Sequence, residues 1–539
     1  MRAAKTGGEG SLARGAAIIT VATFVSRLTG FVRVVVVAGA MGTTFLANTY
    51  QTANTAPNLV FELLAAGVLT SIFVPTFIEY LVKDEREEGW HAANVLTTVA
   101  FVGLTILAVV LALAAPWIMR VLTIGVDRVD IRAREIALGT DFLRLFAPQV
   151  VFYGAGMIMT GALHAHRRFA MAAIAPIFNN LVVIAVYITY AVMRGDKPPT
   201  IALIDTSETW ILGAGTTLGV IVMTLCLVPQ LRRLGWRYRW RFDRSHPAVR
   251  KAMRLGVWAL GYAGGYQAGL IVVLILANRV EGGVAAYQWA YTFFYVPHAL
   301  FAAPIFHVLF PAMTEHATKG EKSEFMMRLK DGLDMLTFVL LPVAALMLIV
   351  AVPLAKVCLE FGVLSGTGAA LIGRVIGAFA IGLPAYSAFL VLTRAYYAQS
   401  DTKTPTLVNA ATVAMSSAVG AILFFVLTAD WSVAGLAFGH SFGFFVGTGA
   451  LAYLLARRLG AGMSMWWSQA LARALLFGSA AAGAMWLAGS FVPDATKTQA
   501  LANLLIVSVI GIAVYGGLML WAKSPELLRV TNVVKRRRS

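Results

Sequence analysis

Two arginines, Arg27 and Arg33, interrupt the first long apolar run of the chain. A charge at membrane depth is costly unless it faces a polar cavity or a partner, so it marks a functional site by default. Arginine suits phosphate, because its planar fork offers two parallel hydrogen bonds and it stays charged at any working pH. The two are six residues apart, roughly 240° around a helix, so they do not share a tight face. Both can line one cavity if the helix bends or is bordered on two sides, and Gly30 between them permits a bend. The blander alternative has Arg33 snorkelling or pairing with Glu62, and Arg27 capping a neighbouring helix.

The next apolar segment opens with a polar stretch, Asn48, Tyr50, Gln51, Thr52, Asn54 and Thr55, followed by Pro57-Asn58. Pro57 removes a backbone donor and is expected to break the helix, which is tolerated at membrane depth where the break lines a cavity. Asn58 and Glu62, four apart, share a helical face. Glu62 could balance an arginine, take a proton, or serve a structural ion pair. The expected substrate-binding set is therefore Arg27, Arg33, Asn48, Asn58 and Glu62, with no catalytic residue. Other polar groups in apolar runs are Asn179, Asn180, His298, His307, Asp334 and Arg374. Asp141 and Arg144, three apart, are expected to pair with each other. His440 is expected to be hydrogen-bonded packing.

Three common enzyme signatures are absent: the sequence has no Walker A loop and no HExxH or CxxC motif. The two cysteines, Cys226 and Cys358, fall in apolar runs, which argues against a disulfide framework or metal cluster. No cofactor is expected, and transport would draw on an ion gradient or the membrane potential.

The elements that must position these groups are long apolar helices. Of 539 residues, 59% are hydrophobic and only 13% charged, against roughly 25% charged in soluble domains. Spans are predicted near 15–41, 45–81, 92–119, 133–163, 169–193, 207–231, 250–278, 283–314, 328–355, 366–395, 405–427, 431–456, 467–492 and 498–522. Each exceeds the ~20 residues that a ~30 Å hydrocarbon core requires. The polar first fifteen residues resemble a cytoplasmic tail more than a signal peptide.

The net charge of +18 follows topology. Basic residues concentrate in alternate loops: Lys83 and Arg86, Arg167 and Arg168, nine between Arg232 and Arg254, then Lys319, Lys322, Lys403, Arg457, Arg458 and Lys535 to Arg538. By the positive-inside pattern this puts both termini in the cytoplasm. The segment Arg237-Tyr238-Arg239-Trp240-Arg241 is basic and aromatic, as in segments that anchor at anionic headgroups, and no nucleic-acid partner is expected.

An internal echo divides the chain. Phe146-Ala147-Pro148 through Thr160 to Ala165-His166 aligns with Phe379-Ala380-Ile381 through Thr393 to Ala398-Gln399 at an offset of 233, pairing Tyr153 with Tyr386. Phe73-Val74-Pro75 and Glu79 echo Leu309-Phe310-Pro311 and Glu315 at 236, and Tyr50-Gln51 echoes Tyr287-Gln288 at 237. The offset spans six helices, so the halves should be parallel repeats, as in transporters whose two bundles rock about a central site. The predicted fold is an all-α polytopic membrane protein of about 14 transmembrane helices. It comprises a tail (1–14), an N-lobe of helices 1–6 (15–235), a C-lobe of helices 7–12 (236–460), two additional helices (461–523) and a basic tail (524–539).

Three segments together resemble the lipid II flippase family, MurJ or MviN, of the multidrug/oligosaccharidyl-lipid/polysaccharide exporter superfamily. They are Ser26-Arg27-Leu28-Thr29-Gly30-Phe31-Val32-Arg33; Pro57-Asn58-Leu59 with Gly67 and Phe73-Val74-Pro75; and Tyr397-Ala398-Gln399-Ser400-Asp401-Thr402-Lys403-Thr404-Pro405. Ala175-Pro176 with Asn180 adds to them. The resemblance implies a V-shaped pair of six-helix lobes with a lipid-tail groove at helices 13 and 14. It implies a monomer that flips lipid-linked peptidoglycan precursor, lipid II, to the outer leaflet by alternating access. The pyrophosphate would meet cavity arginines matching Arg27 and Arg33, with Asn48 and Asn58 in the same region. Membrane lipids and cell-wall synthesis proteins are the further partners it suggests. Better-known members carry basic residues where Phe61 and Glu62 stand here, and an arginine where Thr292 stands. The alternatives are a flippase for another polyprenyl-diphosphate-linked glycan and a wall-synthesis scaffold without transport.

Overall fold

The computed structural model describes residues 3–64, 86–166, 168–246, 249–250, 267–460 and 462–527. Among them the secondary structure is helical throughout, with no strand. Twelve segments among the described residues are long and apolar enough to cross a membrane. The predicted spans near 45–81 and 250–278 lie partly outside the described residues.

The chain divides into two compact units, Met1–Ala268 and Gly269–Ser539. The first contains α1 (Ala3–Met41), α2 (Phe45–Leu64), α3 (Arg86–Leu122), α4 (Val129–Phe146), α5 (Gln149–Ala165), α6 (Phe169–Arg194), α7 (Thr206–Leu225) and the short α8 (Val228–Arg233). In it α1 packs on α6, α6 on α7, α4 on α2 and α3, and α5 on α3 and α7.

Polar side chains join these helices where backbone donors are missing. Pro148 separates α4 from α5. Thr217 of α7 donates to the Leu145 carbonyl (2.7 Å), and Thr224, two turns on, donates to Phe152 O (2.9 Å). The buried Gln149 amide donates to Thr217 Oγ1 at 3.1 Å. Threonines seven residues apart share a helical face, so one side of α7 bonds the carbonyls flanking the proline. α7 itself starts in a capping box. Asp205 accepts from the Glu208 amide (2.8 Å) and the Glu208 carboxylate accepts from the Asp205 amide (3.1 Å).

The expected break at Pro57 is corrected: α2 runs without interruption from Phe45 to Leu64. Proline removes one donor, the one that would face the Ala53 carbonyl, and the remaining ladder carries the helix through. On either side Thr55 Oγ1 donates to Gln51 O (2.7 Å) and Asn58 Nδ2 to Asn54 O (2.9 Å).

The second unit contains α9 (Gln267–Ala277), which begins at its boundary, then α10 (Gly283–Pro297), a π-helical turn (His298–Ala302) and α11 (Ala303–Lys319). They are followed by α12 (Lys322–Ile349), α13 (Ala351–Leu359), α14 (Gly366–Ala398), α15 (Lys403–Val426), α16 (Ala429–Leu459), α17 (Gln469–Phe491) and α18 (Lys497–Trp521). α16 sits between α14 and α15. It approaches α15 through glycines at every fourth position, Gly435, Gly439, Gly443 and Gly447. A Cβ on Gly439 would lie within 2.3 Å of the Gly420 amide nitrogen, so only glycine fits there. α17 and α18 pair with each other and seat on α12 through Phe338, Phe477, Met485, Val507 and Tyr515. Tyr515 donates its hydroxyl to Phe338 O at 2.8 Å.

Both units use the same aromatic pairing at positions the sequence echo aligns. Tyr50 meets Phe146 edge-on with ring centroids 5.3 Å apart, and Tyr287 meets Phe379 edge-on at 5.0 Å.

Candidate anion site in the first unit

The outward face of α1 is an apolar stripe, Val21, Phe24, Val25, Leu28 and Val32, all exposed at helical spacing. Both arginines lie off this stripe. Arg27 is exposed and Arg33 half-buried. Their turn is fixed by Asn180 of α6, which is buried and donates to Thr29 Oγ1 (3.0 Å) and Ser26 O (3.2 Å). A Cβ on Gly30 would meet Asn180 Nδ2 at 3.5 Å, an ordinary contact, so the approach of α6 does not depend on glycine there. At the far end of the same two helices, Arg194 of α6 donates to the Ala40 carbonyl (2.9 Å) and is itself buried.

Arg33 lies within electrostatic reach of three phenol hydroxyls from three other helices: Tyr50 of α2, Tyr153 of α5 and Tyr187 of α6. Among the described residues no carboxylate pairs with Arg33. Tyr50 is anchored by Thr216 of α7, hydroxyl to hydroxyl at 2.6 Å, and is boxed by the rings of Phe142, Phe146 and Tyr187. A permanent guanidinium charge with phenol hydroxyls in its electrostatic neighbourhood has the character of an anion site.

The other predicted residues are more dispersed. Asn48 is fully buried near the start of α2. Its neighbour Thr49 donates to Phe45 O (2.7 Å) and lies 3.3 Å from Glu135 Oε1 of α4. Asn58 is half-buried, its amide spent on Asn54 O. Glu62 is exposed near the end of the described part of α2. Asp141 and Arg144 approach to 3.9 Å as an exposed pair, as expected.

Sequence reasoning missed Glu135, a fully buried carboxylate whose second oxygen has no partner. It sits in a segment with three nearby arginines and reads there as a surface charge. The roles of Tyr50 and Tyr187 were also hidden, since a tyrosine in an apolar helix looks like core.

In the second unit, His440 departs from its expected hydrogen-bonded packing: both ring nitrogens are buried without a partner. Its ring instead contacts Phe294, Phe379, Tyr386 and Phe444 at centroid distances of 4.7 to 5.9 Å. His298, in the π-helical turn, has a partner in Ser387 Oγ at 2.9 Å. Thr292 donates to Gln288 O of its own helix. Among the described residues no group of histidines, cysteines or carboxylates is arranged to hold a metal ion.

The segment Gln399 to Pro405 has a local structural explanation. Ser400 takes a left-handed conformation (φ 59°). Asp401 then accepts from the Thr404 amide (3.0 Å), the Thr404 hydroxyl (2.8 Å) and Arg458 Nη1 of α16 (2.6 Å). Partial burial would raise its pKa, but these donors outweigh that and hold the carboxyl below the usual range.

Comparison with known proteins agrees with this arrangement. The family model described as "Lipid II flippase MurJ" matches residues 37–507. A probable lipid II flippase MurJ from Rhizobium tropici is 28% identical over 499 residues, covering 90% of each chain. The lipid II flippase MurJ of Burkholderia cenocepacia is 24% identical over 396 residues, covering 72% of this chain and 74% of its own. In fold, the chain resembles a solved lipid II flippase MurJ in an inward closed conformation, with a TM-score of 0.74 at 18% identity, covering 94% of this chain and 99% of that one. It also resembles an inward-facing multidrug MATE transporter of the MOP superfamily, with a TM-score of 0.63 at 14% identity, covering 83% and 98%. The chain belongs to the MurJ lipid II flippase family, multi-pass membrane transporters of cell wall biogenesis rather than enzymes.

Proposed function

We propose that this chain flips lipid II from the inner to the outer leaflet of the cytoplasmic membrane by alternating access, with both termini in the cytoplasm. Its diphosphate would be held by Arg33 and the phenols of Tyr50, Tyr153 and Tyr187, with Arg27 on the adjoining face of α1. Asn58 and Glu62 would border the same path, and Asn48 would support it from behind. The polyprenyl tail would stay in lipid along α17 and α18, whose outer faces carry exposed Trp486, Phe491, Leu505 and Ile512. A lobe boundary near residue 235, with α17 and α18 as an addition to twelve core helices, belongs to the same reading.

The observation that carries this reading is the placement of Arg33 within reach of three tyrosines, in a chain of this family.

A second reading, a flippase for another polyprenyl-diphosphate glycan, is favoured by Thr292, whose hydroxyl is occupied within its own helix. Expression in cells depleted of their own lipid II flippase separates the two. Lipid II exposure is read by cleavage with an externally added lipid II-cleaving toxin. Restored cleavage supports the first reading. Absent cleavage at normal membrane abundance moves the substrate to another lipid-linked glycan.

A further inference from the structure

Residues 236–242, Trp-Arg-Tyr-Arg-Trp-Arg-Phe, alternate aromatic and basic. They run as an extended strap after α8, without helix or turn. The strap is fastened to one face of α3. Asn94 Oδ1 accepts from Trp236 Nε1 (3.0 Å) and from the Arg239 amide (3.3 Å). Thr98 Oγ1, one turn on, accepts from the Arg241 amide (3.1 Å) and lies 3.0 Å from the Tyr238 hydroxyl. Phe101, a further turn on, meets Trp240 edge-on at 6.1 Å.

In an extended chain successive side chains point to opposite faces. The aromatic row at 236, 238 and 240 makes the ring and hydroxyl contacts to α3, and Arg237, Arg239 and Arg241 form the alternate row, all three exposed. Arg232, Arg233 and Arg244 add to the same segment. Its one acid, Asp243, is engaged by the Ser245 amide (2.8 Å) and hydroxyl (2.6 Å).

The strap also sits at a suitable depth. The apolar part of α3 spans Trp90–Leu122, 33 residues, or about 50 Å at 1.5 Å per residue. This exceeds a hydrocarbon core of about 30 Å by about 20 Å, enough for the turns carrying Asn94 and Thr98 to lie at headgroup level. Trp240 and Tyr238 remain substantially exposed, as interfacial aromatics are.

We propose that this strap is a fixed binding site for anionic phospholipid, with Arg237, Arg239 and Arg241 holding headgroup phosphates of the adjacent leaflet. Charge complementarity selects the occupant, and the hydrogen bonds to Asn94 and Thr98 set the arginine row before a lipid arrives. The inference does not depend on which lipid-linked substrate is transported.

The test is native mass spectrometry of the full chain in phosphatidylcholine micelles titrated with phosphatidylglycerol. Wild type retains phosphatidylglycerol in preference to phosphatidylcholine. The triple variant Arg237→Gln, Arg239→Gln, Arg241→Gln loses about a hundredfold in that retention, at about fivefold per arginine. Arg128→Gln with Lys197→Gln, exposed basic residues elsewhere on the first unit, leaves it unchanged. Should the triple variant not fold, Arg239→Gln alone still lowers retention about fivefold, and retention by wild type falls with added salt. Unchanged retention in the folded variants overturns the proposal. So does displacement of the lipid by millimolar inorganic phosphate, which points to a soluble anion, or by a short oligonucleotide, which points to nucleic acid.

Discussion

Asn180 Nδ2 lies 3.0 Å from Thr29 Oγ1 and 3.2 Å from the carbonyl of Ser26. One amide on α6 thus holds the turn of α1 that carries Arg27 and lies just before Arg33. A neutral hydrogen bond thus fixes the backbone and the threonine of the turn that presents both arginines.

Asn180→Ala removes both bonds and leaves a small void. At about 1 kcal/mol for each hydrogen bond, the variant should lose about 2–4 °C in Tm, with transport falling several-fold as the turn loosens. Thermal unfolding in detergent, followed alongside the transport assay, checks both. Unchanged transport with a lowered Tm would assign Asn180 to stability alone.

Tyr50→Phe deletes one phenol hydroxyl in the electrostatic neighbourhood of Arg33 and leaves Thr216 without that partner. The ring packing on Phe142 and Phe146 survives. Substrate affinity should fall about threefold to tenfold for one lost hydrogen bond while expression stays normal, as read by binding of a polyprenyl diphosphate to purified protein.

Glu135→Gln keeps the shape and an acceptor for Thr49 while removing a buried acid. It should match wild type in stability to within about 1 kcal/mol, whereas Glu135→Lys brings a fixed charge into a fully buried position and should abolish folded protein. Fluorescence-detected size exclusion of the two variants distinguishes them.

Asp401, held below the ordinary aspartate range by Thr404 and Arg458, gives a pH dependence of known sign. A group whose folded pKa is depressed adds stability above its unfolded value, about 3.9, and loses it as pH falls through the folded value. Wild type should therefore lose more Tm on acidification below about pH 4 than Asp401→Asn, which starts lower at neutral pH. Parallel acid profiles for the two would remove Asp401 from the account.

Gly439→Leu places side-chain atoms where a Cβ alone would come within 2.3 Å of the Gly420 nitrogen. Loss of folded protein is expected, against near-normal yield for Gly449→Ala, whose added Cβ meets nothing within 4 Å. Yields from solubilised membranes decide this.

Much of this was legible in the sequence because bilayer physics writes long, readable signals. Apolar length marked the spans that the described residues show as long helices. Arg27 and Arg33 stood out because charge is rare in such segments. What surrounds them was not legible. Tyr50 and Tyr187 look like core tyrosines until the fold brings their hydroxyls near Arg33. Glu135 looks like surface beside Arg132 and Arg134. Asn94 and Thr98 carry no signal until residues 236–241 fold back onto them. Pro57 misled because one missing backbone donor does not end a helix whose other bonds persist.

The central claim is tested most directly by lipid II exposure in flippase-depleted cells carrying wild type, Arg33→Ala or Arg33→Lys at equal membrane abundance. Wild type should restore toxin cleavage. Arg33→Ala should lose at least about tenfold, as expected for one charged hydrogen bond worth about 1.5–3 kcal/mol, and Arg33→Lys should fall between them, keeping charge without the fork. Full restoration by Arg33→Ala would contradict the account.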